Sequence, residues 1–257
     1  GHRINMVPDF AEAIVRNVPE EFELTFNAYL NFAELEGNIE ETSDGFKLSI
    51  KGRSAHAMEP NAGINAAVKL AQYLNTVFTT PQSKEFTQFL VTGFANESRG
   101  RALDLAFKDE MSGDTTLNAG VVTFEEGKGG QVDVSMRYSV SYPYEEKITA
   151  ASSTVAKLGF ALDVVDDSKP HYVDPKEELI QKLSKVYERN TGEKAELLSI
   201  GGGTYARELE TGVAFGMLFP GEPDLAHQAD EYVVIENLVK AAAIYADAIV
   251  ELGTKNN

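Results

Sequence analysis

The sequence predicts an α+β module over residues 1–167, carrying a helical insertion, followed over residues 168–257 by a piece of an α/β sheet. Three observations predict it. Apolar residues alternate at Phe46, Leu48 and Ile50, and again at Val132, Val134, Met136 and Tyr138, the period of half-buried strands. Elsewhere they recur at helical spacing, as at Phe22, Phe26, Tyr29, Leu30 and Ala33. Between the two parts lies Asp166-Asp167-Ser168-Lys169-Pro170, charged, turn-prone and ended by proline, which marks a boundary.

The elements follow in order. Met6–Arg16 reads as a leading strand, and Pro19 suits the first turn of a helix running to about residue 35. Asn38–Thr42 and Phe46–Lys51 read as a hairpin around Ser43-Asp44-Gly45. A polar loop, Arg53–Pro60, holds His56 and precedes a helix marked by Ile64, Ala67, Val68, Ala71, Leu74 and Phe78. Residues 80–113 break the rhythm and read as an insertion with its own aromatic packing, with short helices around Phe86–Phe94 and Leu103–Phe107. Strands return at Thr116–Phe124 and Gln131–Tyr138. Arg137 then lies on the opposite face of a central-looking strand from Met136 and Tyr138, with Asp133 and Ser135. Pro143 precedes a helix through Ile148, Ala151, Val155 and Leu158, and Phe160, Leu162 and Val164 suggest a closing strand. Beyond the boundary come a helix at Leu179–Tyr187, a short strand at Leu197–Ile200, a strand buried on both faces at Val213–Phe219 and a last helix through Leu238, Ala242, Tyr245, Ile249 and Leu252. This second part is too thin for a complete doubly wound domain.

Composition narrows the function. The net charge of −17 argues against a nucleic-acid partner, whose phosphates would be repelled. No cysteine is present, which excludes disulfides and thiolate metal sites. No apolar run approaches the roughly 18 residues of a membrane span, and no signal peptide is visible, so a cytoplasmic protein is expected. The chain opens on Gly1-His2-Arg3 without an initiator methionine, which suggests a tag remnant or a piece that starts inside a longer polypeptide.

The chemistry concentrates in Ser199–Tyr232. Gly201, Gly202 and Gly203 let backbone N–H groups converge on an anion, because no Cβ blocks the approach. His227 follows in a loop rich in Pro, Gly and Asp, with Asp230 and Glu231 behind it as carboxylates able to orient a metal-bound imidazole. A glycine turn and a surface histidine are the plain alternative. His56, among small residues, could donate to a developing oxyanion, or could be tied to backbone. The Asn5 amide could be a second donor, or a turn residue. Arg137 could grip a carboxylate bidentately, or form a surface salt bridge. His171 reads as structural, as do Thr115, Thr116 and Asn118 at a strand start, and His2 has no role. The sequence contains no H-E-x-x-H, G-x-S-x-G or P-loop. One histidine cannot hold a catalytic zinc, which takes about three protein ligands plus water.

R-I-N-M-V-P-D, S-A-H-A-M-E-P, G-G-G-T-Y-A-R and H-Q-A-D-E-Y, in that order, resemble the cocatalytic-metal dipeptidases of the aminoacylase/carboxypeptidase-G type, and within them the PepV-like (Xaa-His, carnosinase-like) dipeptidases. The resemblance implies an α+β lid domain over residues 1–167, with βαββαβ-like sheets covered by helices. It implies the C-terminal part of an α/β zinc-peptidase catalytic domain over residues 168–257. It makes His227 a metal ligand supported by Asp230 or Glu231, and His56 and Asn5 the lid groups on the oxyanion. Arg137 and the backbone of Gly201, Gly202 and Gly203, with Thr204 beside them, become the clamp on a dipeptide's terminal carboxylate. It further implies two divalent metal ions (zinc, manganese or cobalt), a dipeptide substrate and a monomeric parent enzyme.

The family's N-terminal catalytic half, with its H-x-D pair, bridging Asp and Glu-Glu pair, is missing from this sequence. The expectation is therefore a truncated piece or half of a broken gene, with at most weak single-ligand metal binding. Such a piece would be inactive alone and prone to dimerise through exposed sheet edges. Two other readings stay open: a peptide- or carboxylate-binding module that has lost its metals, and a folded lid with no function of its own.

Overall fold

The structure is a computed structural model and describes residues 1–77, 80–223, 225 and 230–254. Phe78 and His227, both singled out in the sequence, lie outside the described residues. The chain divides into two compact units, Gly1–Pro170 and His171–Asn257.

The first unit holds two cores that share one helix. Strands β1 (Phe10–Val15), β2 (Glu36–Thr42) and β3 (Gly45–Lys51) form an antiparallel sheet in the order β1-β3-β2. The predicted hairpin is present because Ser43-Asp44 turns the chain and Gly45, at φ +125°, takes a backbone conformation that side chains resist. Helix α1 (Phe22–Phe32) starts later than Pro19 suggested, and Pro19 instead accepts the Phe22 N–H in the preceding turn. Phe22, Phe26 and Leu30 of α1 pack on Leu48 and Ile50 and on Ala66, Leu70 and Tyr73 of helix α2 (Ala66–Val77). The opposite side of α2, Val68 and Ala71, belongs to the second core.

That second core corrects the self-contained aromatic packing expected of residues 80–113. Helix α3 (Pro81–Phe94) contributes Phe86, Phe89, Leu90 and Phe94 to one cluster with Leu117, Ala119, Ala151 and Val155. Residues 80–113 are thus integral to the unit. Their aromatic rings stack outward onto its other elements, Phe86 on Phe124 and Phe89 on Phe160. Arg101–Leu103 is only a single 3-10 turn, not the helix expected near Leu103–Phe107. The two-residue strands β4 (Lys108–Asp109) and β5 (Gly113–Asp114) follow.

Strands β6 (Thr116–Glu125) and β7 (Gly129–Arg137) make a separate antiparallel ladder, and helix α4 (Tyr144–Lys157) closes the unit. Among the described residues β7 pairs with β6 alone, so Arg137 lies on an edge strand rather than a central one. Phe160 and Leu162 pack against the core as expected, but the segment forms no ladder.

In the second unit, α5 (Glu178–Thr191) and α6 (Ile235–Gly253) enclose a small core of Leu183, Val186, Phe219, Ala241, Ile244 and Ala248. Among its described residues no strand forms. Val213–Phe219 alternates instead of being buried on both faces: Val213, Phe215, Met217 and Phe219 meet the core while Leu218 is exposed. Leu197–Ile200 is extended and exposed, with Leu198 at 81%. Among the described residues no strand lies beside this extended backbone, and a ladder needs one.

Candidate active site

The first half of β6 is buried throughout, and it organises the groups around it. Its inward apolar residues, Leu117 and Ala119, enter the core, which leaves Thr116 and Asn118 on the other face. Register pairs Thr116 with Arg137 and Asn118 with Ser135. Residues directly opposite one another in an antiparallel ladder present side chains to the same face. Thr116, Asn118, Ser135 and Arg137 therefore form one polar face, and Arg137 is half-buried on it.

Two loops hang on that face. The first is the turn at Arg3–Met6, closed by Met6 N–H donating to the Arg3 carbonyl at 3.3 Å. The Asn118 amide nitrogen donates to the carbonyls of Ile4 (3.0 Å) and Met6 (2.9 Å), the residues on either side of Asn5. The leading strand expected at Met6–Arg16 is accordingly split, with residues before Pro8 diverted into this turn and β1 beginning at Phe10.

The second loop carries His56. Met6 and His56 form a bridge, Val7 N–H donates to the Ala55 carbonyl (2.8 Å) and Ala57 N–H to the Asn5 carbonyl (2.9 Å). The Thr116 hydroxyl donates to the Ala57 carbonyl at 3.0 Å. Asn5, His56 and Arg137, far apart in sequence, are thus fastened to the start of one ladder. His56 is half-buried, and its Nδ1 accepts the Met58 N–H at 3.2 Å. A neutral imidazole accepting at Nδ1 carries its proton on Nε2, so it is set up to donate from that side. Asn5 itself is exposed.

Further contacts hold the frame. Asn65 caps α2 by accepting the Val68 N–H (3.1 Å) and donates to the Ala119 carbonyl (2.9 Å). Gly120 sits at a bulge in β6, and a Cβ there would lie 2.3 Å from the Ile4 carbonyl oxygen. Just past Arg137, the Asp109 carboxylate accepts the N–H and hydroxyl of Ser112 (2.6 and 2.9 Å) and of Ser141 (3.1 and 3.0 Å). Desolvation alone would push the Asp109 carboxyl up, but those four bonds outweigh it and hold it far below the usual carboxylate range. Tyr138 donates to Asp167 at 2.5 Å. Burial first, and then that carboxylate, push its phenol well above the usual tyrosine range.

The remaining sequence candidates belong to the second unit. Gly201, Gly202 and Gly203 run into Thr204 and a 3-10 turn at Tyr205–Glu208. None of the three glycines has positive φ, and a Cβ on Gly203 would meet the Arg207 guanidinium at 2.7 Å. The glycine loop thus has a cation of its own, which the sequence reading missed although Arg207 stands in the same motif. Asp230 adopts a left-handed turn at φ 59°, and both it and Glu231 are exposed. His171 Nε2 lies 2.5 Å from the Gly212 carbonyl, tying together two distant points of the unit in keeping with a structural role.

Against this geometry stand the known proteins. A profile of peptidase family M20/M25/M40 matches residues 23–251. The chain belongs to this peptidase family. It is 44% identical over 253 residues to YtjP of Bacillus subtilis (strain 168), provisionally named a dipeptidase, covering 98% of this chain and 54% of that protein. SH1171 of Staphylococcus haemolyticus and SAR1836 of Staphylococcus aureus (strain MRSA252), given the same provisional description, are 34% and 33% identical over 254 residues, again covering 98% of this chain and 54% of each relative. The chain spans about half the length of the curated relatives it matches.

Peptidases of the M20 family are generally metal-dependent. Among the described residues no three or more His, Asp or Glu side chains cluster as a metal site would require, so the described donor set does not fit a catalytic metal. Nor, among them, is any helix long and apolar enough to cross a membrane.

Proposed function

We propose that this chain supplies the carbonyl- and carboxylate-recognising groups of a PepV-like dipeptidase, which hydrolyses the peptide bond of dipeptides bearing a free terminal carboxylate. Membership of the M20 family and the dipeptidase descriptions of its relatives support this reaction class. The observation that carries the residue roles is the common seat of Asn5, His56 and Arg137 on the Thr116–Asn118 end of β6. On this reading Arg137 pairs with the substrate carboxylate. His56, donating from Nε2, and the Asn5 amide stabilise negative charge on the scissile carbonyl oxygen. The Gly201–Gly203 backbone and Thr204, in the second unit, are likewise assigned to carboxylate binding. His227 is a metal ligand, with Asp230 or Glu231 supporting it.

The first unit is then a lid and the second the C-terminal part of the catalytic domain. Divalent metal ions are required, and they need ligands beyond those described here, so the 257-residue chain alone does not turn over. The same lack of clustered donors among the described residues favours a second reading, a carboxylate-binding module without hydrolysis.

Dipeptide cleavage, measured with and without added zinc, manganese or cobalt, tests both. The chain alone and a polypeptide of the relatives' full length are compared. Metal-dependent cleavage by the longer polypeptide only supports the first reading. Dipeptide binding by the chain without metal, with no cleavage by either, supports the second. Cleavage by the chain alone defeats the assignment of the metal ligands.

A further inference from the structure

Asn118 and Thr116 are buried, at 2% and 6% exposure, on the polar face of a strand whose opposite face is apolar. A buried carboxamide must satisfy two N–H donors, and a buried hydroxyl one, or bear the cost of leaving them unmade. Asn118 places both amide donors on carbonyls flanking Asn5, 112 and 114 residues away in sequence. Thr116 places its hydroxyl on Ala57, the residue after His56, while standing across the ladder from Arg137. A ladder needs neither bond, since its backbone groups already pair with β7. The two side chains spend their donors on the loops that carry the candidate site.

We propose that Asn118 and Thr116 are positioning residues: from one strand face they set the spacing between Asn5, His56 and Arg137. Asn118 fixes the Asn5 turn at two points, which prevents it from pivoting about a single bond. Thr116 fixes the His56 loop at the level of Arg137. Because Ala57 N–H also donates to the Asn5 carbonyl, the two loops are cross-tied, and both side chains act on one assembly. The proposal rests on reading Asn5, His56 and Arg137 as substrate-facing groups.

The test uses Thr116→Val, which keeps the volume and removes the donor, Thr116→Ser, which restores the donor, and Asn118→Ala. In the 257-residue chain, NMR of isotope-labelled protein follows the Ala57 amide, the His56 ring and the Asn5 side-chain amide. In the polypeptide that cleaves dipeptides, kcat and KM are measured with the melting temperature. We expect Thr116→Val to shift the Ala57 and His56 signals and lower kcat by about ten- to a hundredfold, the scale on which misplacement of a reacting group acts. KM should change less than kcat, and Thr116→Ser should recover most of the loss. Asn118→Ala should move the Asn5 signal and cost at least as much.

Unmoved signals in Thr116→Val, or a kcat loss that follows melting temperature and is not recovered by serine, overturn the proposal. Should Asn118→Ala not fold, the Thr116 pair decides. Should the wild-type polypeptide cleave no dipeptide, the functional reading falls, and the NMR shifts still decide whether these residues hold the loops.

Discussion

Thr116 stands directly across the ladder from Arg137 and donates its hydroxyl to the carbonyl one residue beyond His56. A cation and an imidazole separated by 81 residues of chain, the difference between positions 137 and 56, are thereby referred to the same point on one strand. Asn118, two residues further along the same face, does the same for the Asn5 turn. On the proposed reading, this common frame is what would present a cation and two donors to a substrate with a negative end and a polarisable carbonyl.

Arg137→Ala should weaken binding of a dipeptide roughly 10- to 100-fold, equivalent to about 1.5–3 kcal/mol for lost charge-assisted hydrogen bonds. The same substitution should change binding of the C-terminally amidated dipeptide by less than about threefold, because that ligand has no carboxylate to lose. Calorimetry on both ligands checks it, and equal losses would remove the clamp assignment.

His56→Ala should lower kcat of the dipeptide-cleaving polypeptide by about 10²–10³, the range for removing one donor to an oxyanion. Metal content, read by elemental analysis, should stay that of the wild type. Metal loss would place His56 among the ligands and contradict the donation from Nε2 that its Nδ1 contact with Met58 sets up.

Local features were legible from sequence and long-range ones were not. The β2–β3 hairpin is specified within a few residues by its turn, and the helices by their apolar spacing. The face of α6 was harder. Apolar residues cover more than half its circumference, so periodicity picked Leu238, Ile249 and Leu252, which are exposed, over Ala241, Ile244 and Ala248, which are buried. Asn5 and His56 could be picked out from their motifs and Arg137 from its strand face, but not the residues that seat them. Asn118 looks like any strand-start asparagine until the chain more than a hundred residues earlier is laid beside it. The role of 80–113 was misread for the same reason: its aromatic partners, Phe124 and Phe160, lie in elements that sequence spacing does not connect to it.

Leu90→Ala tests that correction. Leu90 is 2% exposed in the cluster that also holds Leu117 and Ala119. Its truncation should cost about 2–5 kcal/mol in urea unfolding, the range for a buried leucine. Hydrogen exchange at the Leu117 and Ala119 amides should accelerate in step. An autonomous insertion would leave those β6 amides protected.

Gly120→Val should displace the Asn5 turn. A Cβ at this position would meet the Ile4 backbone at 2.3 Å from its oxygen and 2.5 Å from its Cα, and neither atom can swing away as a side-chain tip could. Either β6 or the turn must shift, at about 1–3 kcal/mol, typical of overpacking. The Ala57 amide resonance, bonded to the Asn5 carbonyl, reports the shift, and an unmoved resonance with unchanged stability would show that the turn does not lie against Gly120.

Asp109 should make the stretch after Arg137 sensitive to acid. Its carboxylate gathers Ser112 and Ser141, and Ser112 in turn accepts the Val140 N–H at 2.9 Å, so one charge ties the end of β7 to the β4–β5 turn. Desolvation opposes ionisation here, but the four hydrogen bonds prevail and depress the folded-state pKa. A depressed carboxyl stabilises the fold fully above its unfolded-state pKa of about 4, and that contribution fades as pH falls through the folded value. Asp109→Asn should therefore lower the melting temperature at neutral pH and flatten its decline below about pH 4 relative to wild type. Amide exchange at Val140 and Ser141 should quicken in the variant at neutral pH, matching what acid does to the wild type. Parallel melting curves across the acid range would mean that the carboxylate does not carry the clasp.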